Sequence, residues 1–346
     1  MFRVVMIVPT GLGATVGGYA GDAGLVVKYL GGIADQIITH PNVVNAAMFN
    51  VLPPNGLYIE GRAIDQFFLE QTGFQPVSAN RIGIVIDRRC EPYLPIITNA
   101  VNATAVSTGC RIAGYTLTSE AVELAFTRTD YGWSGRVENL NTLLEAGRSC
   151  IDAGATALAV LTWMDILSQE QIDAYWQGGG PDPIGALEAL ISHALVKELG
   201  VPVAHSPIFA PSLVDQVLDP RVAAEEIGTT YLPCILMGLS RAPSFVPYDC
   251  SAFGLDDISA LVVPAGACGG IPMLVAAEKG IPVIAVRENR TVIDVGFADL
   301  GWEGEHLYSV DNYWEAAGLL LALKQGLEPK LLRRPLEGCF IPFPQS

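Results

Sequence analysis

The strongest constraint on the fold is a set of short runs that are apolar without interruption. RIGIVID (81–87) and TALAVLT (156–162) offer no polar face to water. A strand of that kind has to be covered on both sides, as parallel strands are when helices pack above and below them. Comparable runs at 3–8, 35–39, 82–87, 156–162, 201–204, 232–237, 259–263 and 281–286 read as strands. Between them, apolar residues recur at helical spacing and predict helices over 91–107, 138–152, 183–199, 271–279 and 311–325. The alternation predicts an α/β protein with mostly parallel, doubly wound sheets in two lobes. A length of 346 residues fits about two domains.

One run has to be tested as a membrane span. Ile258 to Ala277 is twenty residues without a charge, long enough to cross a bilayer. Pro264, Gly266, Gly269, Gly270 and Pro272 interrupt its middle. It therefore reads as a strand, a tight turn and a helix. The opening MFRVVMIVPTGLG lacks the succession of basic, apolar and small-residue regions of a secretory signal. Seven cysteines, an odd number with no C-x-x-C spacing, read as reduced thiols. Together these predict a soluble, cytoplasmic chain with no membrane partner. The formal net charge of −16 repels phosphate backbones, which excludes nucleic acid as a favoured partner. A chain that is 50% hydrophobic and only 16% charged also predicts hidden surface, in a homo-oligomer or a ligand cleft.

The two ends of the chain echo each other. IVPTGLG leads through a helical stretch to GIADQIITHPN, and VVPAGACGG leads through another to GIPVIAVREN. Each copy has a strand ending Val-Pro, a Gly-rich turn, a helix and a second strand. Two βαβ units resemble one another by construction, so the echo has an ordinary explanation. A pseudo-symmetric pair is the sharper one. It predicts a lobe built from 1–80 plus 207–346, with 81–206 as the second lobe.

Ligands of open α/β sheets bind beyond the carboxyl ends of the strands. That rule selects Thr10 and Gly11, His40 and Asn42, Asp87, Asp165, His205 with Ser206, Cys268, and Arg287 with Asn289. Gly11, Gly13 and Gly17 resemble a phosphate-approaching turn. The dinucleotide fingerprint fails, however, because Val16 holds its third glycine position and Asp35 opens the second strand instead of closing it. Gly178-Gly179-Gly180-Pro181-Asp182-Pro183 reads as a loop and helix start over 183–199, with Gly200 as its stop. On that helix His193 reads as an ordinary helix histidine, out of line with Glu188. Cys268, before a helix with Gly269 and Gly270, is the candidate nucleophile, because a helix N-terminus favours the thiolate. Arg287 is a rare cation suited to a carboxylate or phosphate. No metal-ligand spacing is present, and no cofactor is assigned.

The segments VPTGLGATVGGYAGDAG, ITHPNVVNAA, PPNGLYIEG, PDPIGALEALISH, PCILMGLSRAP and PAGACGG…VIAVRENRT together resemble a protein family of cyanobacteria and plants. That family is known only as a conserved domain of unknown function. The resemblance spans nearly the whole chain and implies a soluble bacterial or plastid protein, without an activity or catalytic residues. The residues themselves favour an enzyme acting on a small anionic metabolite, isomerase-, racemase- or lyase-like, in a cleft between lobes. Cys268, His40, His205 and Asp87 are its candidate catalytic groups. Thr10, Gly11, Gly13, Gly17, Asn42, Gly269, Gly270, Arg287 and Asn289 are its candidate ligand contacts. A non-catalytic metabolite- or nucleotide-binding regulatory protein and a structural homo-oligomer are the alternatives.

Overall fold

A computed structural model describes residues 1–18, 21–45, 52–130, 132–164, 167–177, 183–209 and 231–336. Among them, six strands form one sheet in the order Leu307–Val310, Val283–Val286, Ile258–Pro264, Arg3–Met6, Gln36–Thr39, Gly56–Tyr58. Every neighbouring pair is parallel. The second sheet, also parallel throughout, runs Val203–Ile208, Ala157–Trp163, Arg81–Ile86, Arg111–Leu117. Two antiparallel pairs complete the strands, Gly73–Gln75 with Ser244–Val246 and Leu124–Thr129 with Gly132–Val137.

In the first sheet the two Val-Pro strands lie side by side. From them the chain winds outward in both directions, through Gln36–Thr39 on one side and Val283–Val286 on the other. The two echoing βαβ units therefore meet at the point where strand order reverses, and it is there that doubly wound sheets open a crevice.

The uninterrupted runs are explained by the two cores. Side chains alternate across a strand, so Val4 and Met6 enter one apolar cluster and Val5 the other. Ile82, Ile84 and Ile86 join Val4, whereas Val85, Leu158 and Val160 join Val5. Each cluster draws on both sheets, so the sheets share their covering layers. The uncharged stretch at 258–277 is the strand Ile258–Pro264 followed by the helix Ile271–Lys279. No helix among the described residues is long and apolar enough to cross a membrane.

One expected strand is a helix. Residues 232–237 fall within the helix Tyr231–Leu239, which packs against Val203–Ile208 and Ala157–Trp163 of the second sheet. Leu232, Ile235, Leu236 and Leu239 are all buried there, and an apolar run of this length reads the same in either conformation. The strand Arg111–Leu117 went unread because it is the edge of its sheet and keeps polar and exposed positions. The helix Pro183–Leu199 ends as expected at Gly200, whose φ of +66° suits glycine.

Candidate functional site

Between the two sheets lies a polar cleft of about 60 Å³. From the first sheet come Thr10 beyond Arg3–Met6, His40 and Asn42 beyond Gln36–Thr39, and Glu60 beyond Gly56–Tyr58. The other wall is built by Glu188, Ser192 and His193 of the helix Pro183–Leu199, His205 of the strand Val203–Ile208, and Tyr231. Three of the four histidines in the chain meet here. Among the described residues no group of three or more His, Cys, Asp or Glu is arranged to hold a metal ion.

Each histidine is held differently. The Val8 N–H donates to His40 Nε2 at 3.1 Å, which leaves the ring proton on Nδ1. That Nδ1–H has no partner among the described residues, although the residue is only 6% exposed. Burial, with the charge of His193 nearby, pushes the His40 pKa down to about 3, so the ring is neutral at ordinary pH. His193 Nδ1 sits on Glu60 Oε1. Burial works against its charge, but the Glu60 carboxylate prevails and holds His193 above the usual imidazole range. Glu60 is itself fixed: Oε2 accepts from the Arg62 N–H at 2.7 Å, capping the helix Gly61–Phe68, and Ser192 Oγ donates to Oε1 at 3.2 Å. Gly61 makes room for the ring, since a Cβ there would stand 3.2 Å from His193 Cε1.

His205 links two groups. Its Nδ1 lies 3.2 Å from Glu188 Oε1 and its Nε2 2.8 Å from Thr162 Oγ1. A carboxylate accepts only, so His205 presents Nδ1–H to Glu188 and Thr162 donates to Nε2. The imidazole is buried, whereas the Glu188 side chain is 30% exposed to the cleft. His205 thus holds Glu188 in place while Glu188 stays open to the cleft. At the cleft edge, Tyr58 OH donates to Asn45 Oδ1 at 2.8 Å, leaving the Asn45 amide nitrogen for other contacts.

Four of the residues selected from sequence meet in this cleft: Thr10, His40, Asn42 and His205. The others fall elsewhere. Asp87 is wholly buried and caps the short helix Arg88–Tyr93, accepting from the N–H groups of Arg89, Val122 and Trp163 and pairing with Arg89. Those bonds engage both of its oxygens, and it does not line the cleft. Of the turn that holds Gly11, Gly13 and Gly17, the later part has its N–H groups engaged, including the Thr15 N–H on the Arg290 carbonyl. The Gly17 N–H donates to Asp22 at 2.7 Å and the Val16 N–H to Asn289 Oδ1 at 3.0 Å. Asn289, fully buried, clamps that turn and also donates to Tyr313 OH at 2.8 Å. Arg287 pairs with Asp311 on the surface, along a groove beside Leu307–Val310. Asp165 and residues 178–182 lie outside the described residues.

Cys268 is buried beside Gly269 and Gly270, outside the cleft, and burial pushes its thiol up to about 11. The expected helix-terminus activation is outweighed by loss of solvent around the charge. Cys90 is pushed up to about 12, first by burial and then by Asp87. Brief iodoacetamide treatment of the native chain, read by peptide mass spectrometry, is therefore expected to modify exposed Cys250 and leave Cys90 and Cys268 intact. Modification of Cys268 at a comparable rate would restore it as a nucleophile.

Glu60, Glu188, His193, Asn45 and Tyr231 were missed as site residues. His193 and Glu188 are misaligned on their helix, which sequence counted against them, yet each faces the cleft because each has its own partner on a different element. The available signal was the scarcity of histidine and the Glu60-Gly61 pair closing an apolar run.

The fold and the cleft define an α/β protein with two parallel sheets and a polar, histidine-lined cleft between them. The chain belongs to the family described as "Protein of unknown function (DUF3326)", which matches residues 3–333. It is 39% identical to an uncharacterized lipoprotein of Synechococcus sp. (strain ATCC 27144 / PCC 6301 / SAUG 1402/1), across 95% of this chain and 92% of that protein. The relative's description as a lipoprotein overturns the expectation of a cytoplasmic chain, which rested on the absence of a recognisable leader and on thiol usage.

Proposed function

We propose that the cleft is the active site of an acid–base enzyme acting on a small anionic metabolite, isomerase- or lyase-like in chemistry. The observation that carries this reading is the Nδ1–H of buried, neutral His40, which has no partner among the described residues and faces a cleft that also holds His193, its pKa raised by Glu60, and the half-buried Glu188. His40 Nδ1–H and the Asn45 amide offer donors to an oxyanion. Glu188 takes a proton from carbon next to that oxyanion, and His193 supplies one to the opposite position. At roughly 10–15 Å³ per water-sized group, the cleft holds about four to six such groups, the size of an acid of two or three carbons. The lipoprotein relative supports a lipid-linked setting for such an activity.

The test is wash-out of the C2 proton of small 2-hydroxy acids, and of the C3 protons of 2-oxo acids, in D2O, followed by NMR. Wild-type chain is expected to exchange at least one acid, and Glu188→Gln to slow exchange by at least about 100-fold while still binding it. Acids that bind at the cleft but never exchange would leave a binding protein in place of an enzyme.

A further inference from the structure

A second cavity, of about 390 Å³, lies against the helix Tyr231–Leu239 on a face adjacent to that of the cleft. Tyr231 and Ile235 face the cleft, whereas Cys234, Met237 and Gly238 face the cavity. The volume falls within the range of ordinary ligand pockets and is several times that of the cleft. The lining is mixed: Val44, Leu52 and Met237 supply apolar surface, and Ser78, Thr108 and Ser240 supply hydroxyls.

Two guanidiniums belong to its wall, Arg111 and Arg241. The chain carries 36 acidic against 20 basic side chains. Arg3, Arg88, Arg89, Arg136 and Arg287 each pair with a carboxylate, whereas Arg81, Arg148 and Arg290 pair with none among the described residues. Neither Arg111 nor Arg241 has one among the described residues. Arg241 is instead steadied by a bond from Nη2 to the Leu52 carbonyl, 3.3 Å away, which keeps it against the cavity. Two guanidiniums with no carboxylate partner among the described residues, beside a partly apolar cavity, are matched by one ligand chemistry, an anionic head on an apolar body.

We propose that this cavity is a second ligand site, for an amphiphilic anion, separate from the acid–base cleft and linked to it by a shared wall. The link is physical. Asn45 borders both spaces, and Tyr58, which donates to it, lines the cavity. Gly238 has to be glycine for the same reason, because a Cβ there would stand 2.7 Å from the Tyr58 ring. An occupant that displaces this ring moves the Asn45 amide at the cleft edge.

The probe is 8-anilinonaphthalene-1-sulfonate, with fluorescence titration of the full chain and competition by decanoate or decanol. One saturable site is expected, with decanoate displacing the dye at least tenfold better than decanol. Replacing both Arg111→Gln and Arg241→Gln should weaken the dye at least tenfold with an unchanged melting temperature, as both side chains are exposed. Glu188→Gln should leave dye affinity unchanged, which keeps this site independent of the acid–base reading. Decanoate should also shift the His40 or His193 ring signals in NMR. Equal competition by decanol, or unchanged affinity in the double variant, overturns the anion site. Binding without any histidine shift overturns the link to the cleft.

Discussion

Acidifying the protein from pH 7 to pH 4 is expected to remove about 3 kcal/mol of stability through His40 alone. Burial first, then the neighbouring charge of His193, holds its folded pKa at about 3 against 6.5 in the free side chain. Below pH 6.5 the unfolded chain therefore takes up a proton that the folded chain refuses. The contribution is complete above 6.5 and is lost as pH falls toward 3. Asp65 acts in the opposite sense over part of this range. Burial raises it to about 6, so the folded chain keeps a proton that the unfolded chain releases above 3.8. His193, held above the usual imidazole value, contributes below pH 6.5 and loses that contribution as pH rises through its folded pKa. Urea denaturation at pH 7, 5.5 and 4 separates these effects when wild type is compared with His40→Gln. The two stability curves should converge toward acid by about 3 kcal/mol. Parallel curves would mean that His40 is protonated in the folded state.

Glu60→Ala is the second large effect, an expected loss of about 2–4 kcal/mol. It removes the side-chain cap of the helix Gly61–Phe68, which is typically about 1 kcal/mol. It also removes charge-assisted bonds to His193 and Ser192, about 1.5–3 kcal/mol for bonds of that type. Ser192 keeps its bond to the Ala189 carbonyl, so its hydroxyl is not stranded. Glu60→Gln separates the roles, because an amide oxygen can still accept from the Arg62 N–H while the charge is gone. Its stability should stay nearer to wild type, yet the His193 pKa should fall toward the ordinary imidazole value in an NMR titration. An unmoved His193 in Glu60→Gln would show that some group other than Glu60 holds its proton.

These effects meet at residues that were legible to different degrees. Thr10, His40, Asn42 and His205 could be selected because strand ends are where open sheets place polar groups. Cys268, Arg287, Asn289 and Asp87 obey the same rule and still fall outside the cleft. Their partners decided the outcome: an acidic cap position for Asp87, the Gly-rich turn for Asn289, a surface carboxylate for Arg287, and complete burial for Cys268. Except for the local cap at Asp87, these partners are far along the chain or depend on packing, and local spacing shows neither. Glu60 and His193, 133 residues apart in sequence, are the same lesson in reverse.

Sequence alone determined the architecture. Runs apolar on both faces can be satisfied only by covered parallel strands, and the prolines and glycines of 258–277 permit a strand and a helix there but not a span. Tertiary structure decided the conformation of 232–237, where burial on every side erases the difference between a helical and an extended pattern. It also decided the site. A buried histidine with one ring N–H left open, a carboxylate steadied by a buried ring and an imidazole whose pKa a neighbouring carboxylate raises are properties of surroundings, and the surroundings are assembled from both sheets only when the chain has folded.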